Sequence, residues 1–135
     1  MKKKILVIDD SPVVLSMLDD MLTALNYEVT CAGNGLDGCG LIETNKYNMI
    51  ITDLNMPGMD GVEFTKSAKQ MQNCKFVPIV MLSGEHDEAK IAEAKSVGIS
   101  TFLKNLSKRI NLKPSFKLFW VHNLILCLYL IRKEY

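Results

Sequence analysis

The chain lacks a charge excess, a paired-cysteine motif and a secretory start. Across its 135 residues, 16 basic side chains stand against 15 acidic ones, for a net charge of +1. A dedicated nucleic-acid binder would show a clear basic excess, and a disordered chain would hold less than this 48% apolar content. The composition fits a soluble globular protein with one ordinary core and little room for a second domain. Cys31, Cys39, Cys74 and Cys127 form no C-x-x-C pair and have no nearby histidine partner. Neither a zinc site nor a disulfide framework is signalled, and buried thiols in a reducing compartment are expected. Met1-Lys2-Lys3-Lys4 has the charge of a signal-peptide start, but the apolar run from Ile5 to Ile8 stops at Asp9-Asp10, too soon for a secretory signal. The expected location is cytoplasmic.

A second set of absences divides the chain. The last 31 residues contain no glycine, no alanine and no Asp, yet hold five of the ten aromatic residues. Residues 1–104 carry 10 basic and 14 acidic side chains, net −4, whereas 105–135 carry 6 and 1, net +5. We therefore separate a domain over 1–104 from an atypical basic and apolar tail over 105–135.

Within the first segment, short apolar runs alternate with helical patterns, which is the signature of a parallel sheet wrapped by helices. Strands are predicted at 4–8, 27–32, 48–52, 76–82 and 100–103. Val14, Leu15, Leu18, Met21, Leu22 and Leu25 mark a first helix behind the cap Ser11-Pro12. Further helices are expected at 35–43, weakened by Gly38 and Gly40, at 62–72, and at 87–96 before Gly98. The order βαβαβαβαβ predicts an α/β, doubly wound, five-stranded parallel sheet, whose working site gathers at the carboxyl ends of the strands.

Those ends carry Asp9 and Asp10 after the first strand, Asp53 after the third, Ser83 after the fourth and Lys104 after the fifth. A single Asp in such a place is more often a cap or turn residue, but capping alone does not account for the joint pattern. Three converging carboxylates repel one another unless a cation lies among them. Carboxylates with a backbone carbonyl and waters suit Mg²⁺, with Mn²⁺ as second choice, and leave coordination positions for phosphate oxygens.

The segments ILVIDDSP, IITDLNMPGMDG, PIVMLSGE and AKSVGISTFLK resemble the receiver domain of bacterial two-component response regulators over residues 4 to about 104. The resemblance implies a flavodoxin-like sheet order 2-1-3-4-5. It implies that Asp53 is the phosphoacceptor, taking a phosphoryl group from a histidine kinase or phosphotransfer protein to form an acyl phosphate. Asp9, Asp10, Asp53 and the backbone carbonyl of Asn55 would then hold Mg²⁺. Ser83 resembles the switch hydroxyl, and Phe102 the aromatic that moves with it. Glu85 and Asn55 match positions that tune hydrolysis of the acyl phosphate, and Met56, Pro57 and Gly58 shape the loop. The implied protein is a single-domain regulator that signals by docking to a downstream protein, with no external substrate turned over.

One departure coincides with the break in composition. The family's fifth strand ends in an aromatic, two residues, then Lys-Pro, and counting from Phe102 puts Asn105-Leu106 there. Lys104 falls one residue early, so strand alternation would turn it from the pocket, and it stands in for the family lysine only if the strand end bends. Asn-Leu-Ser written AAC-CTT-TCN becomes Lys-Pro-Phe when one A is added before it, so 105–135 has the form of an out-of-frame tail. Codons 105–107 of the gene decide this, and any other codon choice there excludes it. Residues 118–131 hold 12 apolar residues in 14, short of the roughly 20 that span a membrane. This run suits a buried segment in place of a fifth helix, or dimerisation through the tail, better than a membrane or nucleic-acid contact. The alternative function is a receiver-fold binding or scaffold protein whose phospho-switching is impaired by the altered carboxyl-terminal region. A phosphatase with an aspartyl-phosphate intermediate would want its nucleophile in a D-x-D arrangement after the first strand, where this chain reads Asp9-Asp10-Ser11-Pro12.

Overall fold

A computed structural model describes residues 2–83 and 88–104, except for the side chains of Ser83, Leu103 and Lys104. The tail from 105 onward and Glu85 lie outside the described residues. Five strands and four helices alternate along the chain: β1 (Lys4–Ile8), α1 (Pro12–Ala24), β2 (Glu28–Ala32), α2 (Gly35–Thr44), β3 (Met49–Asp53), α3 (Gly61–Gln70), β4 (Ile79–Ser83), α4 (Glu88–Ser96) and β5 (Thr101–Lys104). All pairings are parallel, in the order β2-β1-β3-β4-β5. The sheet order expected from the sequence is the one observed.

Local chemistry sets the helix starts. The Ser11 hydroxyl accepts from the Val14 N–H (3.4 Å) ahead of Pro12, Asn34 Oδ1 from the Asp37 N–H (2.8 Å), and Asp60 Oδ1 from the Glu63 N–H (2.9 Å). Each side chain satisfies a helix N–H that has no partner within its own helix. Gly98, at φ +106°, closes the turn after α4 in a conformation that disfavours a side chain.

Two apolar layers enclose the sheet. Val14, Met17, Leu18 and Leu22 of α1 share a buried cluster with Ile5, Val7, Met49, Ile51, Val80 and Leu82. Cys39 and Ile42 of α2, with Phe64 and Ala68 of α3, join Leu6, Ile8, Ile50 and Ile79 on the opposite face. Gly38, a helix-weakening residue in the sequence, has a packing role in the fold. A Cβ there would lie 2.5 Å from Ile8 Cδ1 and 3.2 Å from Phe64 Cε2, whereas one at Gly40 would meet nothing within 4 Å. The helix gives up intrinsic propensity at position 38 so that α2 can approach β1.

Three expectations are corrected. The fourth strand begins at Ile79 and not at Phe76, whose side chain is 81% exposed. Cys74 and Val77 close successive turns through Cys74 N–H to Met71 O (3.0 Å) and Val77 N–H to Cys74 O (3.1 Å). Pro78 accepts from the Ile50 N–H (3.0 Å) but has no N–H to return to the ladder. Cys31 is exposed and not a buried thiol, because it lies on β2, the edge strand, where the second neighbour is missing. Met56 is buried in the core cluster beneath α3 and does more than shape its loop. The first strand has the bounds expected, and the remaining element ends differ from expectation by no more than two residues.

Candidate functional site

Parallel pairing brings the carboxyl ends of β1 and β3 side by side, with Ile8 opposite Thr52. The residues that follow place Asp9, Asp10 and Asp53 together: one carboxylate oxygen from each lies within 4.8 Å of the others. Asp9 and Asp53 are 1% and 2% exposed, while Asp10 opens to solvent. Asp9 is fixed on two sides. Its N–H donates to Ala32 O (3.2 Å), extending the pairing with β2, and its Oδ1 accepts from the Ser11 N–H (2.9 Å). The turn that caps α1 therefore also orients a carboxylate of the cluster.

The chain around Asp53 is held by its neighbours. The Thr52 hydroxyl, fully buried, donates to the Asp53 carbonyl (3.1 Å), and the Gly61 N–H donates to Leu54 O (2.8 Å). A Cβ on Gly61 would collide with the Asp53 carbonyl oxygen and would lie 2.9 Å from Leu54 Cα. Only a glycine lets the start of α3 close so tightly on the end of β3. Between them Gly58 takes φ +76° and Asn55, two residues after Asp53, is exposed. Thr52 and Gly61 were not singled out from the sequence. Gly61 was visible there as the last residue of DLNMPGMDG, but the contact that requires it was not.

The other candidates lie along the same edge. Asp53 pairs with Leu82, so Ser83 stands one residue beyond it, and Ser83 pairs with Lys104. The directions of the Ser83 and Lys104 side chains lie outside the described residues. Phe102 pairs with Met81 and is partly buried against the cluster that Leu54, Val62, Met81 and Ala94 form. That cluster joins residues of the loop after Asp53, α3, β4 and α4.

Buried, closely spaced carboxylates are costly without a positive charge among them. With only oxygen donors and an exposed side at Asp10, this donor set fits a hard divalent cation and not a soft one.

The fold and the site together define a doubly wound α/β protein with an acidic cluster at the β1/β3 crevice, where such sheets place their ligands. The chain belongs to the response regulator receiver domain family, whose model matches residues 5–115. It is 31% identical to a probable chemotaxis protein CheY of Rhizobium etli over 103 residues, 76% of this chain and 80% of that protein. It is 34% identical to the two-component response regulator ARR17 of Arabidopsis thaliana, covering 74% of this chain and 73% of that one. The chemotaxis response regulator CheY4 of Vibrio cholerae superposes with a TM-score of 0.76 at 31% identity, over 91% of this chain and 98% of the other. The receiver domain of a Pseudomonas aeruginosa sensor histidine kinase shares the fold, with a TM-score of 0.72 at 23% identity over 91% and 97%, and holds a magnesium ion in its active-site cleft. This is a CheY-like receiver of the two-component signalling type. No helix among the described residues is long and apolar enough to cross a membrane.

Proposed function

We propose that this chain is a phosphorylation-controlled receiver, accepting a phosphoryl group from a phosphohistidine of a sensor kinase or phosphotransfer protein onto Asp53. The observation that carries the proposal is the gathering of Asp9, Asp10 and Asp53 within 4.8 Å at the carboxyl ends of β1 and β3. Asp53 acts as the nucleophile: a carboxylate oxygen attacks phosphorus, the bond from phosphorus to the donor's imidazole nitrogen breaks, and an acyl phosphate forms. Asp9, Asp10, Asp53 and the Asn55 carbonyl would hold Mg²⁺, or Mn²⁺. When bound, the ion neutralises the carboxylates and the charge on the transferring oxygens. The Ser11 N–H holds Asp9 in place, and Thr52 and Gly61 fix the backbone that aims Asp53. Ser83 supplies the hydroxyl that meets the phosphoryl group. Phe102, packed against the cluster that includes Leu54 and Ala94, relays the change to α4 and β5, where a downstream protein docks.

Incubation with Mg²⁺ and a small acyl-phosphate donor, followed by intact-mass measurement, tests this. One phosphoryl group should be gained by the wild-type chain and none by Asp53→Ala or by wild type in EDTA. Asn105 at the family's lysine position favours a second reading, a receiver-fold scaffold with impaired switching. A folded protein that binds Mg²⁺ yet gains no phosphoryl group would establish that alternative.

A further inference from the structure

The two ends of the sheet differ in charge. Asp9, Asp10 and Asp53 gather at the carboxyl ends of the strands, whereas the amino ends collect lysines. Lys2 and Lys3 lead into β1, which begins at Lys4, Lys46 precedes β3 and Lys75 precedes β4. Backbone hydrogen bonds join these segments into one rim. The Lys4 N–H donates to Asn48 Oδ1 and the Asn48 N–H to Lys4 O, both at 2.8 Å. The Glu28 N–H donates to Lys3 O (2.9 Å) and the Ile50 N–H to Pro78 O (3.0 Å). All five lysines are exposed, and in the segments that form the rim they face only the carboxylates of Glu28 and Glu43. Phe76 stands among them. It is 81% exposed, more than any other large apolar side chain among the described residues, and Lys75 Nζ lies 5.6 Å from its ring centre.

An exposed aromatic set in a rim of lysines takes no part in phosphoryl transfer at Asp53. We propose that this rim is a peripheral docking face for an anionic lipid surface, with Lys2, Lys3, Lys4, Lys46 and Lys75 over the headgroups and Phe76 entering among them. Lysines near an anionic leaflet are drawn to it without a fixed partner geometry, and aromatic rings settle at headgroup depth. The cations of the rim are all lysines, since Arg109 and Arg132, the only arginines of the chain, lie in the tail. Compact charges on flexible stems suit a diffuse, laterally mobile negative surface, whereas fixed recognition of single phosphates favours the arginine fork. One aromatic also falls short of the succession of rings on which a nucleic-acid strand stacks. A five-residue strand is roughly 16 Å long, while charges are screened beyond about 8 Å at physiological salt. The acidic end therefore does not cancel the rim. A chain approaching with its acidic end first is repelled, so the charge asymmetry sets one orientation, in which Asp53 faces away from the bilayer.

The test sediments the full chain with phosphatidylcholine vesicles, with and without phosphatidylglycerol, at low and high salt. Binding is expected only with phosphatidylglycerol and should be released by salt. Replacing Lys2, Lys3 and Lys75 by Gln should weaken it roughly fivefold per lysine, and Phe76→Ala about tenfold. These side chains are exposed, so the far-UV circular dichroism should stay native. Phe76→Trp combined with Trp120→Phe puts the single tryptophan in the rim, and its emission should shift to the blue on phosphatidylglycerol vesicles and not on phosphatidylcholine alone. Binding that survives the lysine and Phe76 substitutions assigns the contact to the tail and overturns the proposal, as does an unshifted emission or the absence of binding. Retention of single-stranded polynucleotide in preference to the vesicles overturns it in favour of nucleic acid.

Discussion

Replacing Asp53 by Asn should stabilise the protein in the absence of divalent cations and nearly abolish its response to them. Asp9 and Asp53 are both buried and present carboxylate oxygens no more than 4.8 Å apart. At an effective dielectric constant of about 20, two full charges at that separation repel by ~3 kcal/mol. Solvent at the Asp10 side screens part of this, and hydrogen bonds that favour the ionised carboxylates offset more. The net gain expected for Asp53→Asn is therefore about 1–2 kcal/mol, from a substitution that keeps side-chain shape while removing one charge. A cation that binds only the folded state adds about 2.7 kcal/mol at one hundred times its dissociation constant. Saturating Mg²⁺ should accordingly reverse the order, with wild type gaining most. Urea unfolding of both proteins in EDTA and in Mg²⁺ reads this crossing directly through the transition midpoints. Equal Mg²⁺ gains in the two proteins, or a less stable Asp53→Asn in EDTA, would refute the account of the acidic cluster.

The glycines give a second contrast: Gly40→Ala should stabilise by about 0.5–1 kcal/mol in urea unfolding, while Gly38→Ala should destabilise by about 1–3 kcal/mol, because only at position 38 does a Cβ meet Ile8 and Phe64. Gly61→Ala should cut phosphoryl uptake while leaving the far-UV circular dichroism near native, since its Cβ strikes the Asp53 carbonyl and displaces the acceptor. For pH, burial raises the folded-state Cys39 and Cys74 thiols above their ordinary value of 9.0, so the unfolded chain releases those protons first. Stability is fully present below pH 9.0 and lost as pH rises toward the folded values. Burial lowers Lys69, which works in the opposite sense below 10.5. A Cys39→Ala/Cys74→Ala variant should show a flatter or rising profile in alkaline thermal melts, and an unchanged profile would contradict this.

How far the sequence could be read follows from where its signals are local. Strand and helix order, the Ser11-Pro12 cap and the gathering of Asp9, Asp10 and Asp53 depend on periodicity and on the rule for parallel sheets, both visible in one dimension. Gly38, Gly61, Thr52 and Met56 were not legible in this way, because their roles are contacts between segments distant in the chain or tertiary approaches of backbone to backbone. Phe76 misled for a related reason. An aromatic before Val77-Pro78-Ile79 fits a strand pattern, yet Pro78 supplies only an acceptor to the ladder and the preceding residues close into turns.

The end of β5 carries the last prediction. In the proposed reaction a phosphoryl group arriving at Asp53 brings negative charge to a crevice that already holds the carboxyl groups of Asp9, Asp10 and Asp53, so a fixed cation beside them would favour the transfer. In the family pattern a lysine stands three residues after the aromatic, and in this chain that position is Asn105, with Lys104 one step earlier and paired with Ser83. Successive strand positions face opposite sides, so moving the charge by one residue changes the side on which it stands. Asn105→Lys should therefore raise the rate of phosphoryl uptake at least about tenfold at fixed Mg²⁺ and donor concentration, within the range that a single oriented charge contributes. The uptake should remain absent when Asp53→Ala is combined with it. Lys104→Ala distinguishes the two sources of charge: if Lys104 already serves, its loss slows uptake by a similar factor and Asn105→Lys restores it. Equal rates in wild type and Asn105→Lys, together with a slow Lys104→Ala, would show that Lys104 reaches the phosphoryl group and that the displaced lysine is functional.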